Sequence, residues 1–116
     1  MRLQLKRVYE PPADDDGLRV LVDRLWPRGL KKTNAVVDLW LKEIAPSADL
    51  RRWFDHDPKK WSEFRRRYRA ELEERGEEFE TLRKQGGNGQ VTLLYGARDE
   101  EHNQAVVLKE FIERSG

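Results

Sequence analysis

The segment 23–29 reads DRLWPRG and carries groups suited to binding a ligand. Arg24 and Arg28 carry permanently charged, planar guanidinium groups whose paired donors match the geometry of a carboxylate or a phosphate. Asp23 can orient either arginine or act as a base, and Trp26 offers a flat apolar face for stacking. The pattern therefore predicts a preorganised loop that holds a planar or anionic ligand.

A purely structural interpretation of this segment stays open beside the functional one. Asp23 and Arg24 can form an ion pair that only supports the fold, while Trp26 fills part of the core. Under either interpretation Pro27 stiffens the turn. Gly29 permits a positive φ or a close approach of the backbone.

A second polar segment, 95–103, reads YGARDEEHN and precedes the last predicted helix. Tyr95, Arg98 and Asn103 are its further candidate ligand contacts. Asp99 is interpreted first as the N-cap of the helix. Because a helix N-terminus offers free backbone donors and a partial positive charge, an anion is again the expected guest.

Two histidines and the absence of cysteine limit the chemistry that remains. His56 and His102 can each carry a proton, or each can be an ordinary exposed polar side chain near a helix start. The lack of cysteine removes disulfides, thiol nucleophiles and thiolate-bound metals, and no HExxH spacing occurs. The glycines of 86–89 precede a strand, whereas a phosphate-binding loop follows one. We predict neither a metal nor a cofactor.

Two apolar runs must position the polar segments. Residues 18–22 and 91–95 are typical of strands buried on both faces. Because helices separate them, a parallel pair with a right-handed crossover is favoured. The segments 23–29 and 95–103 would then emerge at one edge of the sheet, where ligands bind in open parallel sheets. An earlier strand around residues 3–8 alternates in polarity and is expected at the sheet edge.

The remaining elements are predicted from caps and apolar spacing. Three consecutive aspartates, 14–16, are interpreted as a solvated turn. Ser47 is expected to cap a short helix, and Asp57 with Pro58 to begin a long one, which Gly76 either kinks or divides in two. A further helix, capped by Thr33 or Asn34, is expected to bury Val37, Trp40, Leu41 and Ile44.

Composition bounds the class of protein. The 116 residues suit a single compact α/β domain, 1–116, with a small, mostly parallel sheet flanked by helices. With 23 basic and 22 acidic residues, the net charge of +1 provides no global field to attract nucleic acid or a membrane. The apolar runs are far too short to span a bilayer. The cytoplasm is the expected compartment.

Three functional hypotheses follow, and none decides whether the protein is an enzyme. The first is a small-molecule site in which Arg24 and Arg28 bind an anion, Trp26 stacks, and Tyr95 with Asp99 completes the pocket. The second is a nucleic-acid or regulatory module that uses local basic residues: Lys31, Lys32, Arg51, Arg52, Lys59, Lys60 and the run 65–69. The third is a partner-binding or oligomerising surface around Trp40, Trp53 and Trp61.

The ordered motifs of the chain resemble a known family. They are VDRLWPRG at 22–29, WLKEIAPS at 40–47, LRRWF at 50–54, HDP at 56–58 and LLYGARD at 93–99. Together they resemble the bacterial YeaO-like proteins, a branch of domain of unknown function 488. The resemblance implies a compact α/β cytoplasmic domain without an established activity. Other branches carry a Cys after the last strand and a Cys-His-Arg group, but this chain has Tyr95 and 103–105 there, so thiol chemistry is not carried over.

Overall fold

A computed structural model describes residues 1–115 of the chain. Its strands are β1 (Arg2–Arg7), β2 (Leu18–Leu21), β3 (Leu39–Trp40) and β4 (Gln90–Tyr95). They form one sheet in the order β1-β4-β2-β3, and each pairing is parallel. The predicted α/β fold with a small parallel sheet is confirmed.

Helices and short 3-10 turns connect and cover the strands. The helices are α1 (Lys32–Ala35), α2 (Ala48–Phe54), α3 (Trp61–Leu72), α4 (Gly76–Gly86) and α5 (Gln104–Ser115). Ser47 caps α2 by accepting a hydrogen bond from the Leu50 amide at 3.2 Å, as predicted. The long apolar stripe belongs to two helices, so the break near Gly76 divides it. No helix within residues 1–115 combines the length and apolar character needed to cross a membrane.

The register places β2 and β4 side by side, with β1 at the edge. Leu18 pairs with Val91 and Leu21 pairs with Leu94. The Val22 amide continues the ladder by donating to the Leu94 carbonyl at 3.0 Å. The predicted parallel pair is confirmed, and the two strands therefore end at the same edge of the sheet.

The main core lies on one face of the sheet. Alternate strand residues such as Val20 and Leu93 pack there against the longer helices, α2 to α5. Tyr68 is fully buried, and its hydroxyl donates to the Ile44 carbonyl at 2.7 Å. The opposite face has a smaller cluster, in which loop and edge side chains cover Leu21. The period of two along β2 and β4 thus supplies both apolar faces.

The predicted helix from Thr33 or Asn34 through Ile44 is wrong. The helix α1 ends at Ala35, Val36 adopts a left-handed conformation with φ 48, and the chain then pairs with β2 as β3. Asp38 binds the edge of β2 twice, because its amide donates to the Arg19 carbonyl and its carboxylate accepts from the Arg19 amide. These long-range backbone hydrogen bonds outweigh the helical spacing of apolar residues in this segment.

The interpretation of 14–16 as a solvated turn is wrong for Asp16, which is 2% exposed at the end of a 3-10 turn. Its carboxylate accepts from the Arg19 guanidinium and from the Lys6 ammonium at 3.2 Å. Burial alone would raise the pKa of Asp16, but the hydrogen bonds from the Ala13 amide, Lys6 and Arg19 outweigh burial and lower it. Asp16 is therefore an ionised, paired group inside the fold.

Candidate functional site

A cavity of about 370 Å³ lies at the carboxyl ends of β2 and β4. Residues 23–28 line it after β2, and Gly96 and Ala97 line it after β4. The start of α5, the segment 45–46 and part of α2 complete the wall. The expectation that the polar segments after these strands meet at one edge is confirmed for the residues nearest the strands.

Asp23 joins three elements at the cavity wall. Its Oδ2 accepts from the Gly96 amide at 2.9 Å, and its Oδ1 accepts from Gln104 Nε2 at the first position of α5. The Trp40 indole donates to the Asp23 carbonyl at 2.7 Å. Burial raises the pKa of Asp23 to about 6, although the hydrogen bonds from the Gly96 amide and from Gln104 act to lower it. Asp23 is thus a carboxyl group that titrates near neutral pH.

Gly96 is required by the close approach of Asp23. A Cβ atom at position 96 would lie 2.8 Å from Asp23 Oδ2 and 3.6 Å from the Pro27 ring. Any larger residue would therefore push the carboxylate off the amide that binds it. The glycine after β4 keeps the two strand ends in contact.

Arg24 lines the cavity, but most of its donors are already used. Its Nε donates to the Pro46 carbonyl at 3.0 Å and its Nη2 to the Ala45 carbonyl at 3.1 Å. Its remaining nitrogen lies 3.4 Å from Glu43. Arg24 therefore ties the segment after β2 to the segment before α2, and it does not pair with Asp23 as the structural interpretation supposed.

The Trp26 side chain packs on the opposite face of the sheet and also lines the cavity. Its indole donates to the Leu30 carbonyl at 2.8 Å, and its ring meets the edge of Trp40 with centroids 5.4 Å apart. The side chain thus fills part of the smaller core cluster. Gly29 has φ +74 and no atom near its Cβ position, so the expected positive φ is confirmed and a close approach is absent there.

The rim of the cavity carries exposed basic side chains. Arg28, Arg51 and His56 are exposed and line the cavity. Within residues 1–115, neither the Arg28 nor the Arg51 guanidinium makes a hydrogen bond or an ion pair. The same rim is partly apolar, since Tyr9 is 42% and Leu25 58% exposed. The guanidinium groups of Arg28 and Arg51 are therefore available to bind a solute.

The second segment contributes less of the wall than its sequence suggested. Tyr95 is 3% exposed, and burial raises the pKa of its hydroxyl. Tyr95, Arg98 and Asp99 lie outside the residues that line the cavity, whereas Asn103 lies among them. The prediction that Asp99 caps the last helix is wrong, because α5 begins at Gln104 and Asn103 Oδ1 accepts from the Val106 amide at 3.2 Å.

Asp99 instead organises the turn before α5. Its Oδ1 accepts from the amides of Glu101 and His102, and its Oδ2 lies 2.9 Å from His102 Nδ1. The backbone hydrogen bond from Glu101 contributes most to lowering the pKa of Asp99. The His102 ring also meets Trp61 edge to face at 5.2 Å, so its orientation at the cavity wall is held from two sides.

Sequence reasoning gave no site role to Arg51 or Gln104 and left the histidines ambiguous. Arg51 was grouped with a basic surface patch, but it reaches the cavity from α2. For His102 one signal was available. Asp99 precedes it by three residues, a spacing at which side chains can contact each other across one helical turn. No signal in the sequence links Gln104 to Asp23, which lies 81 positions earlier. No group of three or more potential metal ligands occurs in the described part of the chain, and the prediction of no metal stays a prediction.

The raised pKa of Asp23 predicts a pH dependence of stability. An unfolded Asp titrates near 3.8 and folded Asp23 at about 6, so the folded protein binds more protons in between. The stability that Asp23 contributes is therefore highest below about pH 4 and is lost as the pH rises to about 6. Relative to Asp23→Asn, which does not titrate, the wild type should lose free energy of unfolding across this window. Urea denaturation across the window measures this difference, and a constant difference would contradict the assignment.

Comparison with known proteins identifies the family. Residues 2–115 match the family described as "Inactive DUF488-N3 subclade". Uncharacterized protein YeaO of Escherichia coli (strain K12) is 44% identical over 112 residues, which cover 97% of each chain. Uncharacterized protein Rv3073c of Mycobacterium tuberculosis and Uncharacterized protein Mb3100c of Mycobacterium bovis are each 41% identical over 111 residues, covering 96% of this chain and 93% of theirs. No solved structure matches significantly. The chain therefore belongs to the inactive DUF488-N3 subclade, within the YeaO-like branch of domain of unknown function 488.

Proposed function

We propose that this protein binds a small anionic ligand in the cavity at the carboxyl ends of β2 and β4. The observation that carries the proposal is the pair of guanidinium groups, Arg28 and Arg51, that reach the cavity without protein partners. Guanidinium groups bind carboxylates and phosphates through paired, charge-assisted hydrogen bonds. A cavity of about 370 Å³ is within the size range of sites for small molecules.

We assign the arginines roles that differ from those in the sequence prediction. Arg24 supports the cavity wall through the carbonyls of Ala45 and Pro46, so we assign the anion to Arg28 and Arg51. His56 lies at the same rim and adds a further donor. Asp99 acts, in this proposal, by supporting the turn that leads to α5, and Tyr95 and Arg98 are assigned no contact with the ligand.

Binding without turnover suits the family description, which calls the subclade inactive. The cavity still holds a carboxyl group with a pKa of about 6 and a histidine bound to a carboxylate. In the proposal these groups form hydrogen bonds to a ligand and perform no chemical step. The cytoplasm stays the expected compartment.

The alternative hypotheses have less support from the contacts. All four arginines of the run 65–69 are paired within the protein: Arg65 and Arg69 contact Glu110, and Arg66 and Arg67 contact Glu63. A nucleic acid would have to compete with these carboxylates. The indole groups proposed for a partner surface, Trp40, Trp53 and Trp61, are half-buried. Both alternatives stay untested predictions.

Replacing Arg51 with alanine tests the proposed function. The loss of one charge-assisted hydrogen-bonding group should weaken binding of benzoate or inorganic phosphate by about tenfold or more. The change is measured by NMR titration, following the amides of residues 23–28 and 96–97.

Arg52→Ala is the matched control, because Arg52 is the next residue of α2 and contacts only the exposed Asp49. It should leave the affinity unchanged. An equal loss in both variants would show that general surface charge attracts the anion. Absence of any shift in the cavity amides of the wild type would refute the proposal.

A further inference from the structure

The Asp23 and Gln104 side chains in the cavity wall have unused hydrogen-bond acceptors. Gln104 directs its Nε2 to Asp23, which leaves the Gln104 Oε1 without a partner in residues 1–115. Each Asp23 oxygen accepts one hydrogen bond from the protein and retains a further lone pair. A ligand group that reaches this wall is therefore best matched if it carries N–H or O–H donors.

Part of the cavity lining is apolar. Phe54 and Phe64 are 5% and 2% exposed, and their rings stack with centroids 4.2 Å apart. Pro27 and Pro46 are buried residues of the same lining. These side chains therefore suit an apolar or flat ligand body.

The outer rim has the opposite polarity from the inner wall. Arg28 and Arg51 are cationic and exposed, whereas Asp23 is half-buried and accepts hydrogen bonds. A simple anion would gain from the arginines but would be repelled by the ionised Asp23 carboxylate that lines the same cavity. The lining thus offers cationic donors and an anionic acceptor to two different groups on one ligand.

We propose, building on the proposed function, that the ligand of this cavity is a bipolar small molecule. An anionic group, carboxylate or phosphate, contacts Arg28 and Arg51. A flat or apolar body lies against Phe54 and Phe64, and an amine, amide or hydroxyl at the far end donates to Asp23 and Gln104. A carboxylate and a phosphate would both satisfy the arginines at the rim, and probes that carry one group or the other distinguish between them.

Matched fragments test this ligand class. The probes are 4-aminobenzoate, 4-methylbenzoate, in which a methyl replaces the donor, and aniline, which lacks the anion. At a pH well above 6, where Asp23 is ionised, 4-aminobenzoate should bind about tenfold more tightly than 4-methylbenzoate. Aniline should bind more weakly than 4-aminobenzoate, and 4-aminophenyl phosphate shows whether a phosphate serves better than a carboxylate. Dissociation constants come from NMR titration of the cavity amides.

Two variants assign the preference to its residues. Asp23→Asn keeps the shape but replaces one carboxylate oxygen with a donor and removes the charge, so the preference for the amine over the methyl should fall. Gln104→Met provides a second test if the first variant folds poorly, and should reduce the same preference. Arg51→Ala should weaken both benzoates equally and leave their ratio unchanged.

The outcomes separate the two proposals. Equal affinities for 4-aminobenzoate and 4-methylbenzoate, with shifts in the cavity amides, would overturn the bipolar ligand and leave anion binding intact. No binding of either acid would overturn both proposals. A preference for the amine that survives both the Asp23 and the Gln104 substitutions would place the donor elsewhere and also overturn the inference.

Discussion

Replacement of Arg19 by methionine is expected to lower the free energy of unfolding by about 3–5 kcal/mol, because it breaks a buried ion pair and leaves one charge in place. Arg19 is 3% exposed, and its Nη1 donates to the Asp16 carboxylate. Its other nitrogens donate to the carbonyls of Val36 at 2.8 Å and Ala35 at 3.2 Å. The variant would therefore leave Asp16 with Lys6 as its remaining cation and would release the segment between α1 and β3.

Urea denaturation measures the Arg19 effect, with Arg52→Met as the control. Arg52 also pairs with an aspartate three residues away, but both side chains are exposed, so its replacement should change stability much less. The double variant Asp16→Asn, Arg19→Met should recover part of the loss, since the buried side chain that has lost its Arg19 partner is then uncharged. A loss for Arg19→Met no larger than the control would show that the buried pair contributes nothing to stability.

Replacement of Gly17 by alanine is expected to destabilise the protein by at least about 3 kcal/mol, since it combines a strained backbone with a severe clash. Gly17 has φ 63 and ψ −136, a conformation that is essentially restricted to glycine. A Cβ atom there would lie 2.1 Å from the Gln90 carbonyl oxygen. Because Gln90 begins β4, relief of the clash would disturb the central pair of strands.

Gly29→Ala is the matched control for the second effect. Gly29 also has a positive φ, +74, but no atom lies within 4 Å of its Cβ position. Its replacement should cost only the left-handed conformation, about 1 kcal/mol. The difference in urea midpoint between the two variants therefore reports the steric contact together with the glycine-only backbone at position 17. Similar midpoints would mean that β4 moves without cost.

Much of the fold could be predicted from local patterns. The apolar runs at 18–22 and 91–95 are long enough for strands and too short for helices, and the helical crossover between them favours a parallel pair. The cap at Ser47 and the periodicity after Pro58 also predicted helices that the structure contains. These features depend on short-range sterics and on the burial of one face, which a sequence displays directly.

The helix predicted for the segment 33–44 was wrong because the conformation of this segment depends on a distant strand. Its apolar spacing fits a helix, but β2 presents an open edge whose Arg19 amide and carbonyl both bind Asp38. Backbone hydrogen bonds to another strand have no signature within the segment itself. The buried charge of Asp16 was missed for the same reason, since Lys6 and Arg19 reach it only after the sheet forms.

For the site, the residue types and the sheet edge at which they meet follow from local patterns. A buried strand followed by DRLWPRG, parallel to one followed by GARD, brings these segments together. Which charges stay free for a ligand depends on the packing of the whole chain. Arg24 is occupied by carbonyls more than twenty residues away, whereas Arg51 arrives from α2 and Gln104 from α5. The physical reason is that each hydrogen-bonding group takes the partner that the packed chain places within reach, and sequence spacing does not encode that distance.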